Sequence, residues 1–147
     1  MKQGKNRLVH RAHFFTVTLL CLAVAVACSS NQVEKSRGEA FKQYETIIRW
    51  SQWDAAVDFI SPEYLVDNPV SQLDMDRLRL FRVTAYTLRS AGVYDEGMTA
   101  RQVVEIKMFN NRQSVERTII DEQEWRYNEL TKRWQLHSGL PDPTKRY

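Results

Sequence analysis

The sequence is poor in the residues that bind metals and form disulfides. The chain of 147 residues has two cysteines and three histidines. Four of these five residues lie in the first 28 positions: Cys21, Cys28, His10 and His13. Only His137 follows them, so no His/Cys zinc site, which needs three or four ligands, is expected beyond Cys28. A Cys–His nucleophilic pair and an intrachain disulfide are excluded there for the same reason, and we expect no metal and no cofactor.

Acidic residues are absent from the first 27 positions, which nevertheless hold four of the 21 basic residues. The basic residues all lie within Met1–His13, and residues 14–26 then form a run of 13 without a charge. A basic segment followed by a short apolar segment is typical of a secretory signal peptide. Spanning a membrane needs about 20 apolar residues, so this run is too short for a transmembrane helix. We predict a signal peptide over residues 1–27.

The end of the apolar run carries a further signal. Residues 25–28 read Ala-Val-Ala-Cys, and small residues before a cut are what a signal peptidase admits. The segment resembles the lipobox of bacterial lipoproteins, although Ala25 stands where that motif usually has leucine. The resemblance implies cleavage between Ala27 and Cys28 and acylation of the Cys28 thiol, which would make membrane lipid a partner. Cys21, which follows a bulky leucine, fits less well.

Ser29 suggests which membrane receives the anchor. In bacteria with two membranes, an aspartate directly after the lipidated cysteine usually retains a lipoprotein in the inner membrane. Because Ser29 stands there, the resemblance implies the outer membrane, with the protein facing the periplasm. Two or more acyl chains hold a protein stably where one would be marginal.

Removal of the leader changes the charge of the protein. Cleavage before Cys28 leaves 120 residues with 17 basic and 18 acidic side chains, a net charge of −1, although the whole chain has a pI of about 8.9. That length is enough for one small domain. The basic balance belongs to the leader, so we expect no nucleic-acid partner. The glycines also form no nucleotide-binding motif.

Residues 28–38 are polar and nearly devoid of apolar side chains, which predicts a flexible tether. From Glu39 the period turns helical, with an apolar stripe at Phe41, Tyr44, Ile47, Ile48 and Ser51. A second apolar stretch continues to Ile60, and Pro62 is expected to stop it. Residues 50–53 leave open whether there are two helices or one. A short helical turn is expected near residues 73–77.

Four runs then alternate with a period of two, which is typical of half-buried strands. They begin at Phe81, Val104, Ile119 and Arg133. In the first run we expect Phe81, Val83 and Ala85 to share one face. Turn-forming residues separate the runs: Ala91-Gly92, Asn110-Asn111 and Asn128-Glu129. Pro141 and Pro143 are expected to end the last strand.

Helices followed by an antiparallel sheet predict an α+β domain over residues 39–147, in which an N-terminal helix or helix pair packs on a curved sheet of about four strands. The element order, and the stretch 117–127 followed by a hairpin and residues 132–136, resemble the NTF2-like (cystatin-like) superfamily. That fold hosts enzymes, carriers and adaptors alike, so the resemblance implies no single activity.

The third run places two polar residues on an inward face. If Ile119, Trp125 and Tyr127 face the core, Asp121 and Gln123 must face it too. A buried carboxylate is costly unless it is paired or lines a wet cavity. By its resemblance to the NTF2-like superfamily, such an interior acid makes Asp121 a candidate general base of an isomerase or dehydratase.

Enzymes of the resembled superfamily, such as ketosteroid isomerases, set an interior acid beside a tyrosine or histidine. Tyr127 or Tyr86 could serve here, whereas His137 falls on the opposite face of its strand. The alternative is that Asp121 forms a structural ion pair with Arg117 or lies open to solvent.

The four tryptophans are the remaining candidates for binding. Trp125 and Trp134 are expected in the core, whereas Trp50 falls off the helical stripe and is expected to be exposed to a partner. Gln123 and Trp125 are further candidates for lining a ligand pocket. Basic residues between 77 and 89 lie close to acidic ones, which indicates a solvated surface.

The sequence offers a single interior acid and no further group of catalytic residues to support it. We therefore expect a non-enzymatic binding or adaptor module of the cell envelope. Its partner would be another envelope protein or a small hydrophobic ligand. A small cavity enzyme that uses Asp121 is the alternative.

Overall fold

A computed structural model of the chain describes residues 31–145. The predicted signal peptide, its cleavage site and Cys28 lie outside these residues. Contacts divide the chain after Lys35, and the fold described below is that of the second unit, Ser36–Tyr147.

Helix α1 is described from residue 31 and ends at residue 49. Residues 31–38, where we expect a flexible tether, are therefore helical. Their charged side chains are good helix formers, and they continue directly into the amphipathic part of the helix. Arg37 also packs over the ring of Trp134, with 5.9 Å between the guanidinium carbon and the ring centre.

The helical region is interrupted between Trp50 and Trp53. Ser51 has φ of +55°, a left-handed conformation that an α-helix cannot continue through. A second helix, α2, spans Trp53–Val57. The sequence left open whether there are two helices or one continuous helix, and the structure shows two.

Two short helices connect this pair to the sheet. α3 spans Pro62–Asp67 and α4 spans Gln72–Leu78. Pro62, which we expected to stop a helix, instead begins one, because proline at the first helical position lacks only an N–H that the helix does not use. The Ser71 hydroxyl accepts a hydrogen bond from the Asp74 backbone N–H, and the Asp74 carboxylate accepts one from the Ser71 N–H. This capping box starts α4 in the region where a helical turn was predicted.

Four antiparallel strands form one open sheet in the order β1-β2-β3-β4. Their bounds are Phe81–Tyr94, Thr99–Asn110, Val115–Asn128 and Arg133–Leu136. The α+β class and the four strands are confirmed. The second and third predicted turns are also confirmed, since residues 111–114 and 129–132 connect the strands.

The prediction of a turn at Ala91-Gly92 is wrong, because β1 continues through it to Tyr94. A Cβ at Gly92 would come within 2.7 Å of the Tyr94 hydroxyl, so the tyrosine ring fills the place of the missing side chain. The turn lies instead at a 3₁₀ segment, Asp95–Gly97, where Asp95 and Glu96 adopt left-handed backbone angles.

β1 also departs from simple alternation. Its pairing with β2 shifts between Val83 and Ala85 and again between Leu88 and Ser90. As a result Ala85 pairs with the outward Lys107, and Tyr86 pairs with the buried Ile106. The expectation that Ala85 shares the face of Phe81 and Val83 is therefore wrong, since each bulge reverses the faces of the residues that follow.

One face of the sheet, called the inner face here, packs against the helices. Trp125 is fully buried, and its ring lies 5.1 Å from Phe41, 5.1 Å from Tyr44 and 6.1 Å from Phe59 between ring centres. Trp53 of α2 donates from its indole Nε1 to the Phe81 carbonyl (3.4 Å). The core therefore lies between α1, α2 and the inner face.

The chain after β4 folds back along the domain. β4 ends at Leu136, ahead of the two prolines that we expected to end it, and both Pro141 and Pro143 are buried. Arg117 on β3 donates to the Pro143 carbonyl (2.9 Å).

Candidate functional site

Two polar side chains of β3 lie inside the domain, as its alternation predicts. Asp121 is 9% exposed and Gln123 is 2% exposed, between the buried Ile119 and Trp125. On the neighbouring strand, Gln102 pairs with Gln123 and is also buried. The middle of an otherwise apolar inner face is therefore polar.

Gln123 is the hub of a hydrogen-bonded cluster, which we call the Gln123 cluster (Tyr86, Asp121, Gln123 and Trp125). Its Nε2 donates to an Asp121 carboxylate oxygen (2.7 Å) and to the Tyr86 hydroxyl (3.2 Å). Its Oε1 accepts from the Trp125 indole (3.2 Å). Both ends of the amide are thus engaged, which offsets the cost of burying it.

Tyr44 lies close to this cluster without joining it. Its side chain is fully buried, and its hydroxyl has no hydrogen-bond partner in the described part of the chain. Burial raises the pKa of Tyr44 well above its usual value, and the charges of Asp121 and Tyr86 raise it further. An orphan buried hydroxyl is rare and costs about 1–3 kcal/mol.

Burial also shifts the pKa of Asp121, the acid of the cluster. It raises the pKa of Asp121 to about 6, and the Gln123 hydrogen bond and the Lys145 charge offset part of that rise. Burial likewise raises the pKa of Tyr86. The site could therefore hold a proton on Asp121 below about pH 6 and keep Tyr86 neutral throughout the physiological range.

The structure brings together some of the predicted partners of Asp121. Tyr86 belongs to the cluster, but Tyr127 does not; its ring packs on Trp134 with 5.6 Å between centres. The alternative pairing with Arg117 is also not observed. That guanidinium lies over the Phe81 ring, 5.5 Å from its centre, in addition to its bond to Pro143.

Sequence reasoning missed Tyr44 and Gln102 as members of this polar region. Helical spacing placed Tyr44 on the apolar stripe of α1, a pattern that does not indicate where its hydroxyl lies. Gln102 was missed because the second strand was expected to begin at Val104. Extending the alternation backwards to Ala100 would have placed Gln102 inward.

Asp121 lines none of three open pockets of about 410, 350 and 310 Å³ that lie among the described residues. The pocket of about 410 Å³ lies between the α3–α4 region and residues 138–145. Another of about 310 Å³ includes His137, on the side opposite Trp134 and Leu136 as expected. The third, about 350 Å³, is lined by Arg49, Trp50 and residues 83–85.

Trp50 is the exposed tryptophan, as predicted. Its side chain is 72% exposed, whereas Trp53, Trp125 and Trp134 are buried. Trp50 is held at this place by the helix break, because the Val83 backbone N–H donates to the hydroxyl of the adjacent Ser51 (2.9 Å). The turn is thereby tied to β1, with the indole at the rim of the 350 Å³ pocket.

The basic residues expected on a solvated surface are mostly paired there. Arg77 lies 3.6 Å from Asp74, and Arg79 bonds both Asp54 (2.6 Å) and Asp76 (3.0 Å). These pairs occupy the guanidinium groups that an anionic ligand would need.

The part of the chain described by the structure, residues 31–145, holds no group of three side chains that could ligate a metal ion. Within the same range, no helix combines the length and apolar character needed to cross a membrane. Comparisons with protein-family models, curated proteins and solved structures found no match to this chain.

Proposed function

We propose that this chain is a lipid-anchored lipoprotein of the bacterial outer membrane that faces the periplasm and acts as a non-enzymatic binding or adaptor module. The leader and lipobox pattern of residues 1–28 support the anchor. The helix packed on an antiparallel sheet, with aromatic residues between them, supports an NTF2-like domain.

The exposure of Trp50 is the observation that carries the binding function. An indole that is 72% exposed leaves a large apolar surface in water, although the same domain buries its other three tryptophans. Tryptophan and arginine are the residues most enriched at the energetic centres of protein interfaces. Trp50 and Arg49 stand side by side at one open pocket, next to the first residues of β1. The partner is accordingly another envelope protein.

The Gln123 cluster supports a structural role for the interior acid. Asp121 is held by Gln123, which is itself held by Tyr86 and Trp125. An acid enclosed in this way stabilises a defined packing of β3.

The binding function is tested by chemical cross-linking in intact cells with tagged full-length chains. Trp50→Ala should lose the specific cross-linked protein or reduce its yield by a factor of about 30, because a central tryptophan contributes about 2 kcal/mol to binding. Leu130→Ala is the matched control, since Leu130 is 96% exposed and lies in the β3–β4 turn. Equal cross-linking by both variants and the unchanged chain would contradict the proposal.

The anchor is tested separately by mass and fractionation. Cys28→Ser should give an uncleaved precursor without acyl mass, because the thiol to be acylated is gone. Normal maturation of that variant would disprove the lipobox assignment. A change in membrane sorting on Ser29→Asp would support the outer-membrane address.

A cavity enzyme of the isomerase or dehydratase type is a second candidate function. The raised pKa of Asp121 and its link through Gln123 to Tyr86 favour it. Asp121→Asn would then abolish turnover of a cyclic ketone or hydroxy-acid substrate while leaving cross-linking through Trp50 unchanged.

A further inference from the structure

The two edge strands of the sheet, β1 and β4, differ in how far other parts of the chain cover them. At the β4 edge, the Leu136 N–H donates to the Phe59 carbonyl (2.7 Å), and the Ser61 N–H donates to the Leu136 carbonyl (2.8 Å). The chain between α2 and α3 therefore forms a parallel bridge to β4 and covers it at Leu136. At the β1 edge, only the first residues are covered, through Ser51 and Trp53.

From residue 84 to residue 94, the backbone of β1 makes no backbone hydrogen bond to any described residue outside β2. A strand of this length with an open edge can pair with another strand. β4 is covered at Leu136, whereas this segment of β1 has no such cover, so a further strand can join the sheet here.

Apolar side chains beside this open edge are exposed. Leu88 is 52% exposed, Val93 is 49% exposed and Tyr94 is 51% exposed. Leu88 pairs with Val104, and Val93 pairs with Ala100, both of which are buried on the inner face. Opposed residues of an antiparallel pair share a face, so Leu88 and Val93 lie on the inner face. Tyr94 follows Val93 and lies on the outer face.

Residues 84–94 hold a single charge, Arg89, and its guanidinium already bonds Glu105 of β2. The open edge therefore has little like-charge repulsion to oppose its pairing with an identical strand, and no charge that would select an oppositely charged partner.

The bulge at Arg89 makes this segment complementary to itself. Because Arg89 and Ser90 together occupy one position of the ladder, Leu88 and Val93 lie two positions on either side of Ala91. Antiparallel pairing with an axis at Ala91 sets each Leu88 opposite the second copy's Val93, on the inner face. It sets Thr87 opposite Tyr94 on the outer face, and it keeps the two Arg89 side chains apart.

We propose that two copies of this chain associate through β1, antiparallel and centred on Ala91, to form a continuous eight-stranded sheet. Ala91 at the axis has a small side chain and the neighbouring Gly92 has none, which lets the two backbones approach closely. This association is independent of the Trp50 site, which lies at the opposite end of β1.

Disulfide cross-linking of the full chain in intact cells tests the pairing. Ala91→Cys should give a disulfide-linked dimer on oxidation, because residues directly opposite in antiparallel strands have Cα atoms about 4.5–5.5 Å apart, within disulfide reach. Thr87→Cys is the matched control on the same exposed strand. In the proposed register its two copies lie about 20 Å apart, so it should not cross-link. The unsubstituted chain gives the background from Cys21 and Cys28.

A second experiment fixes the register. When one copy carries Leu88→Cys and a co-expressed copy carries Val93→Cys, the two should cross-link. Adding Val93→Lys to the Ala91→Cys chain should reduce the dimer about tenfold, because a charge would then face Leu88 of the other copy. These positions are exposed in the monomer, and circular dichroism should confirm that every variant folds.

Three results would overturn the proposal. They are a monomer for folded Ala91→Cys, equal cross-linking of Thr87→Cys, and a mixed disulfide of Ala91→Cys with a different protein. The last result would assign the edge to a foreign strand.

Discussion

The inner face of the sheet has two halves that differ in what covers them. Around Trp125, on β3, the rings of Phe41, Tyr44 and Phe59 close over the sheet. Around Leu88, on the second half of β1, apolar side chains of the same face are about half exposed. Both halves carry apolar inner-face residues, so the difference is set by the helices, which pack over one half and leave the other open.

The largest expected effect lies in the covered half. Trp125→Ala should lower the free energy of unfolding by about 3–5 kcal/mol, because it removes a fully buried indole and leaves a cavity among three aromatic rings. Trp50→Ala, at a 72% exposed indole, should change the same quantity by less than about 0.5 kcal/mol. Urea denaturation followed by circular dichroism measures both. Similar losses for the two variants would mean that burial does not distinguish the two indoles.

The Gln123 cluster links Trp125 of the covered half to Tyr86 of β1, and its acid should make the stability of the fold depend on pH. The pKa of Asp121 rises from 3.8 to about 6 in the folded protein, so between these values the folded state binds a proton that the unfolded state has released. Stability from this group is fully present below about pH 4, and up to about 3 kcal/mol of it is lost as pH rises to about 6.

Asp121→Asn isolates this contribution, because the amide cannot titrate. The difference in unfolding free energy between the unchanged chain and Asp121→Asn should shift with pH between 4 and 6 and become constant above about 7. The pKa values of Asp74 and Glu124 are lowered in the folded protein, so their contributions to stability are lost as the pH falls. Both proteins contain these acids, so the contributions cancel in the difference. A difference that does not vary with pH would show that Asp121 is hydrated.

Much of this arrangement could be predicted from the sequence. Strand alternation was enough to place Asp121, Gln123 and Trp125 inside. Alternate residues of a regular strand share a face, so one core-facing apolar residue determines the face of its neighbours. The exposure of Trp50 followed from helical spacing in the same way. The hub role of Gln123 was not predictable, since it depends on which side chains from other strands reach the amide.

β1 shows most clearly where local reasoning fails. Its inner-face residues are Phe81 and Val83 before the first bulge, Tyr86 and Leu88 after it, and Ala91 and Val93 beyond the second. Each bulge shifts the pattern by one residue, and nothing in the alternation itself marks a bulge. The length of the strand was missed for a related reason, because Gly92 has the sequence character of a turn but is filled by the Tyr94 ring.

The smallest expected effect lies in the open half. Leu88→Ala should change the free energy of unfolding of the dilute monomer by less than about 0.5 kcal/mol, because its side chain is already half in water. Leu136→Ala makes the same substitution at a fully buried position of β4 and should cost about 2–5 kcal/mol. Tryptophan fluorescence in urea, recorded at protein concentrations low enough to exclude pairing through β1, gives both values. A loss above about 1.5 kcal/mol for Leu88→Ala would mean that this half of the inner face is covered within a single chain.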